Sequence, residues 1–456
     1  MLGILISRED RASITIGKQL RELADWTERT DDSRPPGEGG GTVYQTDGVE
    51  LRAFDALHID CHRPADAFGD IDLLVFASKH AGETGRLLTA HHTGNFGPAD
   101  HGGADNAVAR ACPNAHARVF DALETHAPEE YDVGMECTHH GPTDVGAPSM
   151  FVEVGSSERA WSDPAAARAA ARAILDLRGV GPDRPSEDGA DDDSHRRHLV
   201  GIGGGHYAPR FERVLRETDW AIGHIAADWG LRAMGALDSN SSQAVLADAF
   251  AASRAAYALV DGDRPDVAAA VEAAGGRVVG ETWVRETDGV SLAVAEQIED
   301  AIGTVAEGLR FGERAVGYDG TVAVVDVPDD LLAEVNGIDR KRTRSLVAAT
   351  ALAFDTEHNG TRVTGPLALA DRADREQIVE GLLDVLGERY DSIERDSGEI
   401  IARMQAFSPE KASTLGVPEG PAFGKLSNGQ AVEVDGETIP PDAVTERRER
   451  RFQLQN

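Results

Sequence analysis

The sequence predicts an α/β domain with a largely buried sheet over residues 1–290, followed by an appended α+β region over 291–456. Three observations carry this. Short apolar runs alternate with helix-period segments up to about residue 290, the pattern of strands interleaved with helices. Fourteen of the fifteen histidines lie between His58 and His224, and only His358 lies beyond. After about residue 290 the texture changes to longer helical stretches, a basic run and a Gly/Pro-rich tail.

Taken in order, residues 2–7, 71–78, 86–90, 133–137, 150–154, 199–202, 220–225, 257–260 and 277–284 read as strands. Helices are expected over 13–27, 105–127, 163–178, 209–217, 242–256 and 265–274, and in the extension over 292–308 and 375–406. For the third of these, Asp163 is suited to accept from the free N–H groups of the first turn, and Pro164 fits the first helical position. Residues 31–41 (DDSRPPGEGGG) and 181–194 (GPDRPSEDGADDDS) are charged, turn-forming and aperiodic, and read as surface insertions.

Composition excludes several classes. No stretch approaches the roughly 18 uninterrupted apolar residues of a membrane-spanning helix, and the opening MLGILISRED reads as a first strand rather than a signal peptide. Three widely spaced cysteines, Cys61, Cys112 and Cys137, do not form a disulfide framework or a Cys-based zinc finger, and they fit a reducing cytoplasm. The net charge is −34, with five lysines among the 45 Lys and Arg residues. Acidity spread through well-patterned apolar segments describes a protein kept soluble in high salt, not a disordered acidic tail. At ~1 M salt the Debye length is roughly 3 Å, so this charge does not exclude an RNA substrate. A monomer is expected.

The chemistry lies in histidine motifs that follow predicted strands: Ser78-Lys79-His80; His91-His92-Thr93-Gly94-Asn95; Glu136-Cys137-Thr138-His139-His140-Gly141-Pro142; Gly201 through Arg210 (GIGGGHYAPR); and Gly223-His224. In open α/β sheets ligands sit beyond the carboxyl ends of strands, so these imidazoles are expected to converge there. Histidine with carboxylate and without cysteine suits a catalytic zinc site of one or two ions, with His80, His91, His139, His206 and His224 as candidate ligands. Neighbouring side chains on an extended strand point to opposite faces. One member of His91-His92 and one of His139-His140 should therefore face the site, unless the Gly-Pro after His140 turns the chain. Glu136 or His140 is the candidate general base, and the backbone N–H groups of Gly203, Gly204 and Gly205 are suited to grip an oxyanion or a phosphate. Asn95, Thr138, Tyr207 and Arg210 are candidate substrate contacts. His58, His62, His195 and His198 read as surface residues.

These blocks, SKH, the HHTGN segment, ECTHHGPT, GIGGGHYAPR and the later GHI, together with Ser7 and Asp10-Arg11-Ala12-Ser13, resemble the archaeal-type D-aminoacyl-tRNA deacylases in the same order over about residues 1–290. The resemblance implies a three-layer mixed sheet flanked by helices, akin to phosphorylase- and peptidyl-tRNA-hydrolase-like domains. It also implies zinc-assisted hydrolysis of the ester between a D-amino acid and tRNA, in a haloarchaeal form with a C-terminal extension. In the tail, Leu415 to Pro421, Phe423 to Leu426 and then Val432 to Pro440 resemble a segment of ribonuclease Z, whose metal motif is missing here. Two other classes remain open from the residues alone. One is a metal hydrolase or phosphorylase-like enzyme acting on a small nucleoside or peptide. The other is a non-catalytic RNA binder using the basic runs 340–344 and 447–451.

Overall fold

The computed structural model describes residues 1–456 apart from 188, 190–192, 194, 397, 455 and 456; five of the fourteen residues of the acidic insertion expected over 181–194 thus lie outside the described residues. The chain divides into two units, Met1–Asp288 and Gly289–Asn456.

The first unit contains strands β1 (Leu2–Ser7), β2 (Thr27–Asp31), β3 (Gly41–Thr46), β4 (Val49–Phe54), β5 (Leu73–His80), β6 (Leu87–His91), β7 (Gly94–Asn95), β8 (Ala107–Val108), β9 (Asp132–Met135), β10 (Ser149–Gly155), β11 (His198–Ile202), β12 (Ala221–Ala226), β13 (Tyr257–Val260) and β14 (Arg277–Val279). Eight form one mixed sheet in the order β2-β3-β4-β1-β5-β10-β6-β9. Its centre, β4, β1, β5 and β10, is parallel. β6 runs against β10 and carries β9 parallel to itself. A second sheet, β12-β11-β13-β14, is wholly parallel.

The two-residue period of the strands separates two environments. On one face of the main sheet Leu73, Val75 and Ala77 of β5 and Met150, Val152 and Val154 of β10 join the helices Arg11–Leu23, Pro113–His126 and Pro164–Leu175 in a single apolar cluster. The Ala-rich sequence of the third helix permits this close approach, and the expected Asp163 cap is present, accepting from Ala165 N at 2.9 Å. The opposite face is different: Leu74, Phe76 and Phe151 pack with Leu5, Phe54 and Phe68, and further along the same rows stand Ser78, His80 and Glu153.

Several expectations change in identifiable ways. The helix expected over 105–127 begins only at Pro113, because residues up to Cys112 form β8 and a loop and proline, lacking an N–H, opens the helix. The strand expected over 277–284 stops at Val279; Gly280 then precedes a short helix, Glu281–Glu286. Residues 31–41, expected as a surface insertion, form the partly exposed connection of the β2–β3 hairpin, whose strands and β4 were not anticipated.

The second unit is α+β. A four-stranded antiparallel sheet, in the order Arg310–Phe311, Ala353–Glu357, Arg362–Leu369, Ala323–Val325, shares a core with helices Asp329–Thr350 and Asp374–Leu386 through Leu331, Val347, Phe354, Leu367, Ile378 and Leu382. The helix expected over 375–406 ends at Leu386, before Gly387. Alternating residues then build the strands Ser392–Asp396 and Glu399–Phe407, completed by Thr445–Gln453. The two basic runs lie in this unit and are engaged in ion pairs: Arg342 with Glu388, Arg450 with Glu334, and Arg451 with Glu399 at 3.0 Å. The tail segment resembling ribonuclease Z forms the helix Pro421–Ser427 and the hairpin Val432–Val434 with Glu437–Ile439. Among the described residues no helix is long and apolar enough to cross a membrane.

Candidate active site

The histidines meet on a sheet face, not at a shared strand-end rim. His80 closes β5 and His91 closes β6, but the sheet register sets His80 opposite Gly155 of β10 and His91 opposite Phe151 of the same strand. Because β6 runs against β10, the two strand ends lie at different levels, and Glu153 projects between them.

His91 stacks flat on Phe151, with ring centroids 5.2 Å apart and planes 3° apart. His139 and His140 reach it from the turn after β9. Here His140 takes a left-handed backbone conformation, φ 47°, a region that non-glycine residues seldom occupy. That turn sends two consecutive imidazoles to the same side, at 4.2 and 4.9 Å from the His91 ring. All three Nδ1 atoms lie on backbone carbonyls: His91 on His92 O at 3.0 Å, His139 on Cys137 O at 2.8 Å and His140 on Gly141 O at 2.8 Å. A carbonyl only accepts, so each Nδ1 carries a proton and each Nε2 is the nitrogen left to face a metal. The Nε2 atom of His91 is buried without a hydrogen-bond partner, and one ring nitrogen from each of the three residues lies within 4.8 Å of the others. Imidazoles fixed by carbonyls on their far nitrogens are the arrangement by which proteins orient metal ligands. The donor set therefore fits a metal ion.

Two buried carboxylates lie beside this trio. Glu153 Oε1 is 3.7 Å from His91 Nε2, and its Oε2 is 3.5 Å from His80 Nδ1. Glu136 Oε1 is 3.3 Å from His80 Nδ1 and accepts from the Thr89 hydroxyl, while Oε2 meets His206 Nε2 at 2.8 Å. Burial alone would raise both carboxyl groups; the His80 and His91 imidazoles beside Glu153, and His206 beside Glu136, instead hold them below the usual carboxylate range. The neighbouring Cys137 and Glu136 raise His206 to about 10, whereas burial pushes His140 down to about 4. Two further groups of ligand-type side chains adjoin the trio: Cys137, His139 and His206, and His80, Glu136 and Glu153.

Glycine and a distant carboxylate set the position of His80. A Cβ on Gly155 would stand 2.6 Å from the His80 Cβ, so only glycine lets β10 pass that side chain. Asp10 accepts from Ser13 N at 2.9 Å as the cap of the first helix, and from Lys79 N at 3.0 Å and Ser78 Oγ at 3.1 Å. One carboxylate thus ties the opening block to the SKH motif. His80 Nε2 meets the Tyr207 hydroxyl at 3.0 Å. A cavity of about 680 Å³ opens over the cluster, bordered by His80, His139, His140, Glu153, His206 and Tyr207, and by Asn95 and Trp229. Asn95 also donates to Gly102 O and Ala104 O, holding the loop at the cavity wall.

Other expected site residues are placed elsewhere. His224 is spent on structure: Nε2 donates to Ala109 O at 2.8 Å, and Nδ1 faces the Thr138 hydroxyl at 3.0 Å, which in turn accepts from Ile225 N. Thr138 is therefore an internal clip. His92 turns away from His91, donating to Gly223 O and accepting from Cys112 N. Arg210 is held by Asp261 at 2.8 Å and Glu281 at 3.4 Å. Gly203 and Gly204 have φ of 96° and 82°, and Gly203 N donates to Ala226 O. With Gly205 they turn the chain so that His206 and Tyr207 run along Glu136 and Cys137, where Cys137 N donates to His206 O at 2.8 Å; Gly204 and Gly205 do not border the cavity.

Two surface expectations are corrected. His58 is buried edge-on against Phe76 and Phe151, because a short turn, His58–Asp60, folds over the sheet face. His198 is buried as the first residue of β11, with Nδ1 on Ser253 O at 2.9 Å and Nε2 accepting from Arg184 N at 3.0 Å. His62 remains exposed. Glu153 was missed although its signal was present: a lone carboxylate inside the apolar strand SMFVEVG has to be paired when buried.

Two predictions follow from this geometry. Gly155→Ala displaces His80 and should lower turnover by about 10- to 100-fold, since misplacements near 1 Å can cost that much; steady-state rates near wild type would contradict the packing argument. Burial lowers His198 and His224 to about 4, against roughly 6.5 in an unfolded chain. Their contribution is intact above pH ~6.5 and is lost as pH falls toward 4, by roughly 2 kcal/mol for each at pH ~5. The urea midpoint in molar KCl should drop accordingly between pH ~7.5 and ~5; a flat profile would show that these rings are not kept neutral.

A family model described as D-aminoacyl-tRNA deacylase matches residues 67–279. A protein of Haloarcula marismortui named D-aminoacyl-tRNA deacylase is 57% identical over the full length of both chains. One of the same name from Natronomonas pharaonis is 53% identical, again over the full length of both. The crystal structure of a conserved protein of unknown function is similar at 28% identity and a TM-score of 0.53, covering 63% of this chain and 98% of that one. The histidine blocks that meet on the sheet face fall mainly within the matched region, and the chain belongs to the D-aminoacyl-tRNA deacylase family.

Proposed function

We propose that this chain hydrolyses the ester joining a D-amino acid to tRNA, at the face of the main sheet beneath the 680 Å³ cavity. Family membership supports the reaction, as do full-length relatives bearing that name. The observation that carries the mechanism is the trio of imidazoles whose Nδ1 atoms are committed to backbone carbonyls. His91, His139 and His140 would hold a zinc ion through Nε2. Zinc supplies Lewis-acid stabilisation of the charge that develops on the ester carbonyl oxygen.

The chain's own groups perform the rest. Glu153 borders the cavity and is kept ionised by His80 and His91; it takes a proton from the attacking water as the new C–O bond forms. The ester C–O bond then breaks, and that proton passes to the departing ribose oxygen, leaving a free D-amino acid and tRNA. Glu136 does not border the cavity; it positions His206 and His80. Aminoacyl esters are intrinsically labile, so orientation with one proton acceptor is sufficient. Rejection of the L side chain is steric, by the cavity wall.

The test is release of D-tyrosine and L-tyrosine from charged tRNA in molar KCl, with and without a chelator. D-tyrosine should leave at least about 10-fold faster, chelation should abolish release and zinc restore it, and His91→Ala should cost about 100-fold or more. Equal rates for the two enantiomers would overturn the stereochemical claim, and indifference to chelation would overturn the metal.

A further inference from the structure

One side chain on the cavity wall has no part in the chemistry above and is expensive to leave where it is. Trp229 is 42% exposed, one of only four large apolar side chains exposed among the described residues. It borders the same cavity as His80, His139 and His140. Of the other tryptophans, Trp220 and Trp283 are buried and Trp26 and Trp161 half-buried. In a chain with 5% aromatic residues and a net charge of −34, a solvent-facing indole at the site is a marked departure.

Its backbone is rigid. Asp228 N donates to Gly204 O at 3.0 Å, and the Asp228 carboxylate is paired with Arg264. Gly230 lies against Phe96, where a Cβ would come within 3.2 Å of the Phe96 Cβ, and Leu231 is buried in the core of the second sheet. The ring therefore projects from a short helix, Asp228–Ala233, whose backbone is tied down on both sides of it.

Charge makes such a surface necessary. With 79 Asp and Glu residues against 45 Lys and Arg, the chain's net field repels phosphates, and in molar salt the attraction of any local arginine is weakened by screening and by the loss of counterion release. Contact between a base and an aromatic face depends on neither. We propose that Trp229 is the stacking platform for the base of the nucleoside that bears the ester, so that the terminal adenine of tRNA is held by π-face contact while the ester lies over the histidine trio. This rests on the deacylase reading. The cavity volume falls within the range of ligand sites that take molecules of nucleoside size.

The experiment compares wild type, Trp229→Ala and Trp229→Phe in molar KCl on D-tyrosyl-tRNA, on D-tyrosyl-adenosine and on D-tyrosine ethyl ester, which has no base. Base–aromatic stacking is worth about 1–3 kcal/mol by alanine substitution, or roughly 5- to 150-fold. Trp229→Ala should therefore raise KM for both adenosine esters by about 10-fold or more with kcat changed less than about threefold, and Trp229→Phe should recover most of the loss. The penalty on the ethyl ester should be smaller by about the same factor. Adenosine 5′-monophosphate should quench wild-type tryptophan fluorescence saturably, and Trp229→Phe should remove that signal. An equal penalty on the ethyl ester, or the absence of saturable quenching, would overturn the proposal. Failure of wild type to hydrolyse any of the three esters would instead overturn the deacylase reading, while the quenching experiment would still decide the stacking.

Discussion

Two almost fully buried glutamates lie in the first unit, Glu153 at the floor of the cavity and Glu136 behind it, and much of the surrounding structure serves to keep them there. Glu136 and Glu153 are 1% and 3% exposed. An ionised carboxylate so placed must be paired and hydrogen-bonded or it unfolds its surroundings. The pairing comes from His80 between the two carboxylates, His91 on Glu153, and His206 with the Thr89 hydroxyl on Glu136. These partners come from three separate chain segments, His80 on β5, Thr89 and His91 on β6, and His206 after β11, which is why the sequence blocks are separated and why they must converge. A bound cation beside the same carboxylates would complete the neutralisation.

The converging segments are held by backbone as much as by side chains. His140 in the left-handed region costs on the order of 1 kcal/mol, and that strain turns two adjacent imidazoles to one side. Gly155 leaves room for His80, and Asp10 fixes the segment that carries it. Beneath the imidazoles, Phe151 and Phe76 stack at 4.7 Å and present a flat apolar floor. Such a floor lowers the local dielectric and strengthens every interaction above it. The second histidine group, His92 and His224 with their carbonyl partners, belongs to the scaffold: its nitrogens are already committed.

The central strands of the fold were legible because they are unbroken apolar runs: β1, β5, β10, β11 and β13 were anticipated within a few residues, as was the Asp163-Pro164 helix start. The hairpin strands β2 and β3 were not, because exposed, charged segments such as TERTD carry no apolar period. For the site, the blocks named the right neighbourhood and the five histidines that gather there: His80, His91, His139 and His206 as candidate ligands and His140 as a candidate general base. His224 was misplaced because a histidine in an apolar run looks the same whether its nitrogens are free or, as inside β12, hydrogen-bonded to a carbonyl and a hydroxyl. The rim expected at the strand ends failed for a topological reason: β6 is antiparallel to its neighbour, and strand direction has no signature in a short apolar run. Glu153 has no signature in an apolar period, although a carboxylate inside the buried strand β10 is the strongest pointer to a buried charge site.

High salt bears on all of this in one direction. Interactions between exposed charges weaken as ions crowd the surface, while the buried imidazole–carboxylate contacts are sheltered from screening. A deacylase working there would depend on a dry, prearranged centre and on apolar contact with its substrate, not on long-range attraction. The proposed centre is tested most directly by anomalous diffraction at the zinc edge from zinc-loaded crystals grown in molar KCl. A peak lying among the Nε2 atoms of His91, His139 and His140 is the predicted result. Binding through Nδ1, or a peak confined to Cys137 and His206 with the three imidazoles left free, would contradict it.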